Sequence, residues 1–238
     1  MGGSSGLGLA VATALAGEGA KVAIASRDGA KIAAARERSP QIAAGLVCDT
    51  TDLAALATLP AQVAELLGPV EILVTNTGGP PAGGPLDNDD DAWRHAYASL
   101  VLAPRTLVAA VLPSMREHGW GRIINIGSTS TIEPLDGLVL SNSNRMATVG
   151  LFKSLATTLA ADGITVNTVA TGVFSTDRIT SLYGSIEAAE DDARANIPAG
   201  RLGRPQEYGD LVAFLASERA GYLTGAVIPL DGGALKSI

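Results

Sequence analysis

"MGGSSGLGLAVATALAGEGA" (residues 1–20) decides how the rest of the chain is read. Gly2, Gly6 and Gly8 lead into an Ala- and Leu-rich helical run, and the strand-like "KVAIAS" (21–26) follows. Glycines let a backbone approach a pyrophosphate closely, and the unpaired amides at a helix start attract that anion. A glycine-rich start alone could be no more than a turn. Placed before a helix and then a strand ending at Ser26 and Arg27, about 20 residues on, it predicts a dinucleotide site. Such a site needs a strand feeding the glycine turn, and no residues before Met1 supply one. The expectation is therefore a fold whose first, central strand is missing, from a reading frame that begins upstream of Met1.

Outward from this stretch, short β-branched runs alternate with helical patterns. Besides residues 21–26 they are "AGLVCD" (44–49), "VEILVTN" (70–76), "RIINIGS" (122–128), "ITVNTVA" (164–170) and "AVIPL" (226–230). The runs are nearly continuous in apolar residues, as parallel strands covered on both faces should be. They predict six strands in a doubly wound α/β sheet. In such sheets ligands bind beyond the carboxyl ends of strands, which directs attention to the breaker-rich loops 77–91 and 171–192. The cluster Asp87, Asp89, Asp90 and Asp91 is read as first-turn acids of the helix containing Trp93, in preference to a metal site.

Composition limits the alternatives. At 238 residues, 47% hydrophobic and 17% charged, the chain can bury one core, and a single domain over 1–238 is expected. A formal charge of −7, with no run of Lys or Arg, opposes nucleic-acid binding. A lone cysteine, Cys48, excludes an intrachain disulfide, and we expect neither a signal peptide nor an apolar run near the ~18 residues that span a membrane. The expected setting is soluble, reducing and cytoplasmic, with no membrane partner.

The cofactor's identity is written at the end of the second strand of such folds, where an acid pairs a ribose 2′-hydroxyl and a base accepts a 2′-phosphate. Ser26 and Arg27 stand there, so NADP is favoured over NAD.

With these residues in view, the chain resembles the short-chain dehydrogenases/reductases, near the β-ketoacyl-acyl-carrier-protein reductase type, over essentially its whole length. "GGSSGLG" is similar to the family's glycine loop, with Met1 where threonine is usual. "CDTTD" puts Asp49 at the adenine-contacting position, and "TNTGG" matches the "NNAG" strand end with Asn76 kept and Thr75 and Thr77 substituted. "GRIINIGS", "GITVNTVATGVFST" and "LTGAVIPLDGG" match three further segments, with Thr171 in place of a proline before Gly172. The resemblance implies a Rossmann-type domain, a small carbonyl or alcohol substrate, and a homodimer or homotetramer. It places the cofactor on Gly2, Ser4, Ser5, Gly6, Leu7, Gly8, Arg27, Asp49, Asn76, Gly78, Arg145 and Thr176.

The same resemblance puts the catalytic serine on Ser128. The tyrosine position, thirteen residues later, is Ser141; the lysine position is Arg145; the tetrad's asparagine falls on Ser99. "LSNSNR" (140–145) thus matches a divergent subgroup in which Ser and Arg replace Tyr and Lys. Hydride transfer to a carbonyl builds negative charge on oxygen, which an acid must meet. A tyrosine near pKa ~10 can be tuned toward neutrality, whereas a serine hydroxyl is far too weak an acid, and arginine anchors or stabilises charge without relaying protons. Ser141 could equally be a helix cap. His95 and His118 are read as surface residues and Tyr97 as pointing away from Ser99. Tyr183, in the presumed substrate loop, is the one candidate for a substitute acid. Three readings stand at this point: an oxidoreductase, a dinucleotide-binding sensor or partner subunit without redox chemistry, and a lyase or isomerase.

Overall fold

The computed structural model describes residues 1–237. All six runs form strands: β1 Val22–Ser26, β2 Ile42–Val47, β3 Ile72–Thr75, β4 Gly121–Ile126, β5 Ile164–Thr171 and β6 Val227–Leu230. Between them run α1 Gly6–Gly17, α2 Gly29–Arg38, α3 Leu53–Leu67, α4 Asp90–Tyr97, α5 Ala103–His118, α6 Val139–Leu159, α7 Asp177–Tyr183, α8 Ile186–Asn196 and α9 Pro205–Ala216. Aspartates start three helices by accepting from backbone amides: Asp28 from Lys31 N at 3.0 Å, Asp52 from Ala55 N at 2.9 Å and Asp89 from Ala92 N at 2.8 Å. The acidic cluster is accounted for in the same way, because Asp90 and Asp91 pair with Arg94 and Asp87 accepts from Gly84 N.

Every strand pairing is parallel, but the strands do not form the single sheet expected. They form two, ordered β1-β2 and β3-β4-β5-β6. The break falls between β1 and β3, where the strand feeding the glycine turn would lie. Helices nevertheless cover both faces. On one, α1 and α9 pack Val11, Leu15, Val212 and Leu215 against Ile24 and Ile124. On the other, α3, α5 and α6 pack Leu56, Leu107, Met115, Phe152 and Leu159 against Ile123 and Val166. Each such side chain contributes about 1.5–3 kcal/mol of burial free energy, which is why β4 and β5 are apolar on both faces. The helices α1 and α9 approach closely because Gly209 has no side chain: a Cβ there would lie 2.7 Å from Ala10 O.

Helices α4 and α5 join through a π-helical segment, Ala98–Leu102, into one helix over Asp90–His118. Contrary to expectation, this helix is long and apolar enough to cross a membrane, with a mean hydropathy of 1.5 in its most apolar window. Core packing accounts for that apolarity, since Leu100, Val101, Leu107, Val108, Val111 and Met115 are all buried.

Residues 1–3 tie the two sheets together. The Met1 amino group donates to Val74 O at 3.0 Å and Gly3 N donates to Ala25 O at 3.3 Å.

Candidate dinucleotide and active site

The glycine loop is fixed by contacts that leave no room for side chains. Gly2 has φ +59°, and a Cβ on it would stand 2.6 Å from Asn76 O. Asn76 Nδ2 donates to Gly2 O at 3.1 Å, and a Cβ on Gly8 would run into that same Gly2 carbonyl. Gly6, at φ +51°, faces Thr176. Ser5 is the N-cap residue of α1 but its exposed hydroxyl makes no capping bond, and α1 has no acid in its first turn. Its amides and dipole are left open to an anion. Ser4 is buried beneath the loop, Leu7 packs into the α1–α9 core, and Gly78, with nothing within 4 Å of its Cβ direction, lines open space. The glycine-loop and Asn76 positions named from the sequence thus converge beyond the carboxyl ends of β1 and β3, with Thr176 over them.

At the end of β1, Arg27 is exposed. Asp28 caps α2, and Asp49 Oδ1 accepts from Thr51 N and Oγ1, both at 2.9 Å. Those two bonds, helped by Arg27 and His95, hold the Asp49 carboxyl below its usual range.

"LSNSNR" begins the helix α6, whose N-cap residue is Leu138. Ser141 is inside the first turn and does not cap; its Oγ accepts from Arg145 Nε at 3.2 Å. The i,i+4 spacing makes this pair possible. Arg145 Nη1 also donates at 3.1 Å to Ile126 O, the carbonyl that ends β4 two residues before Ser128. Ser128 Oγ accepts from Ser130 N at 3.1 Å as it starts a short 3-10 turn. Asn142 holds the preceding loop through Leu135, and buried Asn144 donates to Leu140 O at 2.8 Å.

Burial pushes the Arg145 pKa from 12.5 down to about 10, with Arg178 adding to the fall and Tyr208 opposing it. It stays cationic at neutral pH. Two of its five N–H donors are engaged in protein bonds and three are open. Ser128 and Ser141 each receive a hydrogen bond at oxygen, so each keeps its own O–H to donate. Ser141 and the half-buried Arg145 are thus anchored to the end of β4, two residues before Ser128, and their free donors are able to stabilise negative charge on a bound oxygen.

Ser99 sits in the π-helical segment and spends its Oγ on Ala96 O at 3.3 Å. Single π turns widen a helix and occur often at functional sites. Here the turn is pinned to α6 by Thr148, whose Oγ1 donates to Leu100 O at 2.7 Å with Asn144 O at 2.9 Å. The structure therefore puts Ser99 on the element packed against α6 but shows it bonded to its own helix.

Tyr183 does not fill the acid's place. Its hydroxyl donates to Asp192 at 3.1 Å, and burial together with that carboxylate raises its pKa, the wrong direction for an acid. Tyr183→Phe should leave turnover within about two-fold of the parent in steady-state assays, since the lost bond is an exposed one. His95, Tyr97 and His118 are exposed, as expected.

Two neighbours escaped the sequence reading. Tyr208 on α9 is fully buried, shares a 2.9 Å hydrogen bond with Thr171 Oγ1, and meets Phe174 edge-on at 5.3 Å. Burial raises its pKa strongly, so it remains a neutral phenol. The substitution Thr171, noticed as a departure from the family, was the one clue to it. Arg178 on α7 reaches back over Gly79, its Nη2 2.8 Å from where a Cβ would stand.

Comparisons with known proteins agree with this geometry. The sequence model of a family described as Enoyl-(Acyl carrier protein) reductase matches residues 2–234. The 3-oxoacyl-[acyl-carrier-protein] reductase FabG of Haemophilus influenzae is 36% identical over 98% of this chain and 95% of its own. Dehydrogenase/reductase SDR family member 4 of Oryctolagus cuniculus is 34% identical over 97% of this chain and 90% of its own. Among solved structures, an NADPH-bound short chain oxidoreductase from Pseudomonas aeruginosa PAO1, described as containing an atypical catalytic center, superposes with a TM-score of 0.91. It is 30% identical, covering 100% of this chain and 95% of that one. A glycine loop closed on Asn76, serines at the end of β4 and the start of α6, and relatives of this similarity over nearly full length place this chain in the short-chain dehydrogenase/reductase family, with a likeness to its ketoacyl-acyl-carrier-protein reductases.

Proposed function

We propose that this protein is an NADP(H)-dependent oxidoreductase acting on a small carbonyl or alcohol, as a homodimer or homotetramer. What supports the reading is the tie from Arg145, which also holds Ser141 Oγ, to Ile126 O at the end of β4, two residues before Ser128. The dinucleotide, when bound, supplies or accepts the hydride. Gly2 and Gly8 are closed against Asn76 and against each other, so the loop fits a backbone-cradled pyrophosphate. Arg27 is the group that would hold a 2′-phosphate, and Arg178 adds positive charge nearer the centre; the Pseudomonas aeruginosa structure is described as NADPH-bound.

In the reduction direction, the Ser128 hydroxyl and the open Arg145 donors polarise the carbonyl, so that charge arriving on oxygen meets a fixed cation. Ser141, its oxygen held by Arg145 Nε, directs its own proton toward the same point. It orients and does not ionise. Water supplies the proton that completes the alcohol, because neither Tyr183 nor Tyr208 offers an acid there.

The absence of a tuned phenol is also what favours the second reading, a dinucleotide-binding protein without turnover. Fluorescence titration with NADPH and NADH, followed by an NADPH-oxidation screen over ketones, aldehydes and β-ketoacyl thioesters, separates the two. We expect NADPH to bind at least ~10-fold more tightly than NADH and one carbonyl class to be reduced. Tight binding with no turnover on any class overturns the oxidoreductase and leaves the sensor or partner subunit.

A further inference from the structure

Two arginines reach the carboxyl edge of the larger sheet from different elements. Arg145, on α6, is bonded to Ile126 O, the last residue of β4. Arg178, on α7 in the segment that follows β5, lies across Gly79, which follows β3. Because β4 sits between β3 and β5, a side chain running from the β5 loop to the β3 loop passes over the end of the strand that holds Arg145. The fit at Gly79 is close. A Cβ there would have three atoms of Arg178 as its nearest neighbours, Nη2 at 2.8 Å, Cζ at 3.3 Å and Nε at 3.7 Å. Gly79 lies outside the left-handed region, so its backbone does not demand glycine; the missing side chain is room for the guanidinium.

The protein does not neutralise either guanidinium. The ion pairs among the described residues belong to Arg94, Arg116, Arg194, Arg201 and Arg204. Arg145 is bonded to a serine oxygen and a carbonyl, both uncharged. The Arg178 charge is felt at Arg145, whose pKa it helps to lower. Two like charges brought near each other repel, and an anion between them turns that repulsion into attraction. In a chain whose formal charge is −7, this local positive excess runs against the general trend.

We infer that Arg145 and Arg178 together select an oxo acid, with the ketone oxygen at Ser128 and Arg145 and the carboxylate of the same molecule against Arg178 on the Gly79 side. This names the substrate class of the oxidoreductase proposed above and rests on that reading. A guanidinium takes a carboxylate through two parallel N–H bonds, a geometry that an ester cannot match in charge. On the same reading the cofactor's phosphates have other holders, the open α1 amides and Arg27. Arg178 is exposed, so hydration limits its contribution and it governs preference rather than chemistry.

Acetoacetate, 3-oxohexanoate and phenylpyruvate, each beside its methyl ester, are the probes. Reduction is followed with NADPH, and binding of each acid is measured by calorimetry with NADP+ present, where no hydride is available and no turnover is needed. The parent should favour acid over ester by at least ~10-fold in kcat/KM, and Arg178→Met should lower that ratio by about 10- to 100-fold, mainly through KM. Gly79→Val, which keeps the arginine but occupies its place, should lower the ratio in the same direction, and Arg178→Lys should restore part of it. Acid binding that Arg178→Met weakens by ~10-fold or more, with no turnover of any probe, would uphold the anion subsite and overturn the oxidoreductase reading instead. Acids and esters used alike by the parent, no binding of any acid, or an equal loss of both in Arg178→Met would overturn the inference. So would weaker NADPH binding in Arg178→Met with an unchanged acid-to-ester ratio, which assigns the arginine to the cofactor's phosphates.

Discussion

Arg145→Met is expected to lower kcat by about 100- to 1,000-fold, the cost of removing a donor that faces developing negative charge in a water-poor site. KM for the carbonyl substrate should move far less, because the charge that arginine meets appears on oxygen as hydride arrives. A second loss comes with it. The side chain spans from Ser141 Oγ to Ile126 O, so methionine leaves the β4 carbonyl without its charged partner and should destabilise the fold by about 1–3 kcal/mol. Arg145→Lys separates the two effects, since an ammonium keeps the charge but loses the fork that holds two oxygens at once. It should recover part of kcat and less of the serine's positioning. Titration gives an independent signature. With the Arg145 pKa near 10, turnover should show no loss attributable to this group up to about pH 9 and should fall as pH rises through 10. An unchanged kcat in Arg145→Met would sink the electrostatic role assigned to it.

Gly8→Ala is the second large effect, and it acts on the cofactor rather than on the chemistry. The added methyl would collide with Gly2 O and stand 2.8 Å from Asn76 Nδ2. Neither the carbonyl nor α1 can move cheaply, because Gly2 is itself pinned by Asn76 and α1 by its close contact with α9. The glycine loop must open. NADPH affinity should fall by at least ~100-fold, and stability by on the order of 3 kcal/mol, as expected for overpacking against backbone. Calorimetric titration with NADPH and a urea melt measure the two parts. Gly150→Ala, at a helical position with open space around its Cβ, is the control and should raise stability slightly.

The six strands were legible because each is a short, nearly continuous apolar run, although only β4 and β5 are buried on both faces and β2 alternates buried with exposed residues. Ser141 and Arg145 were singled out by the family resemblance, and the bond between them that their four-residue spacing allows emerges only in the structure. Other expectations failed where they depended on what lies across the fold. Capping, one of the two readings open for Ser141, falls away because Leu138 is the N-cap residue and the serine oxygen accepts from Arg145. Tyr183 reads as an acid from its loop, yet Asp192 holds it. Tyr208 left only an indirect trace, the Thr171 substitution, since nothing near position 208 announces that partner.

Local pattern determined the glycine loop and the order of strands and helices, because each depends on residues within a few turns of one another. Folding decided the rest: the tie from Arg145 to Ile126 O, the π turn that Thr148 pins beside Ser99, and the division of the strands into two sheets. These depend on backbone carbonyls and strand edges, groups that every residue carries alike, so their partners are fixed by three-dimensional position and not by side-chain identity.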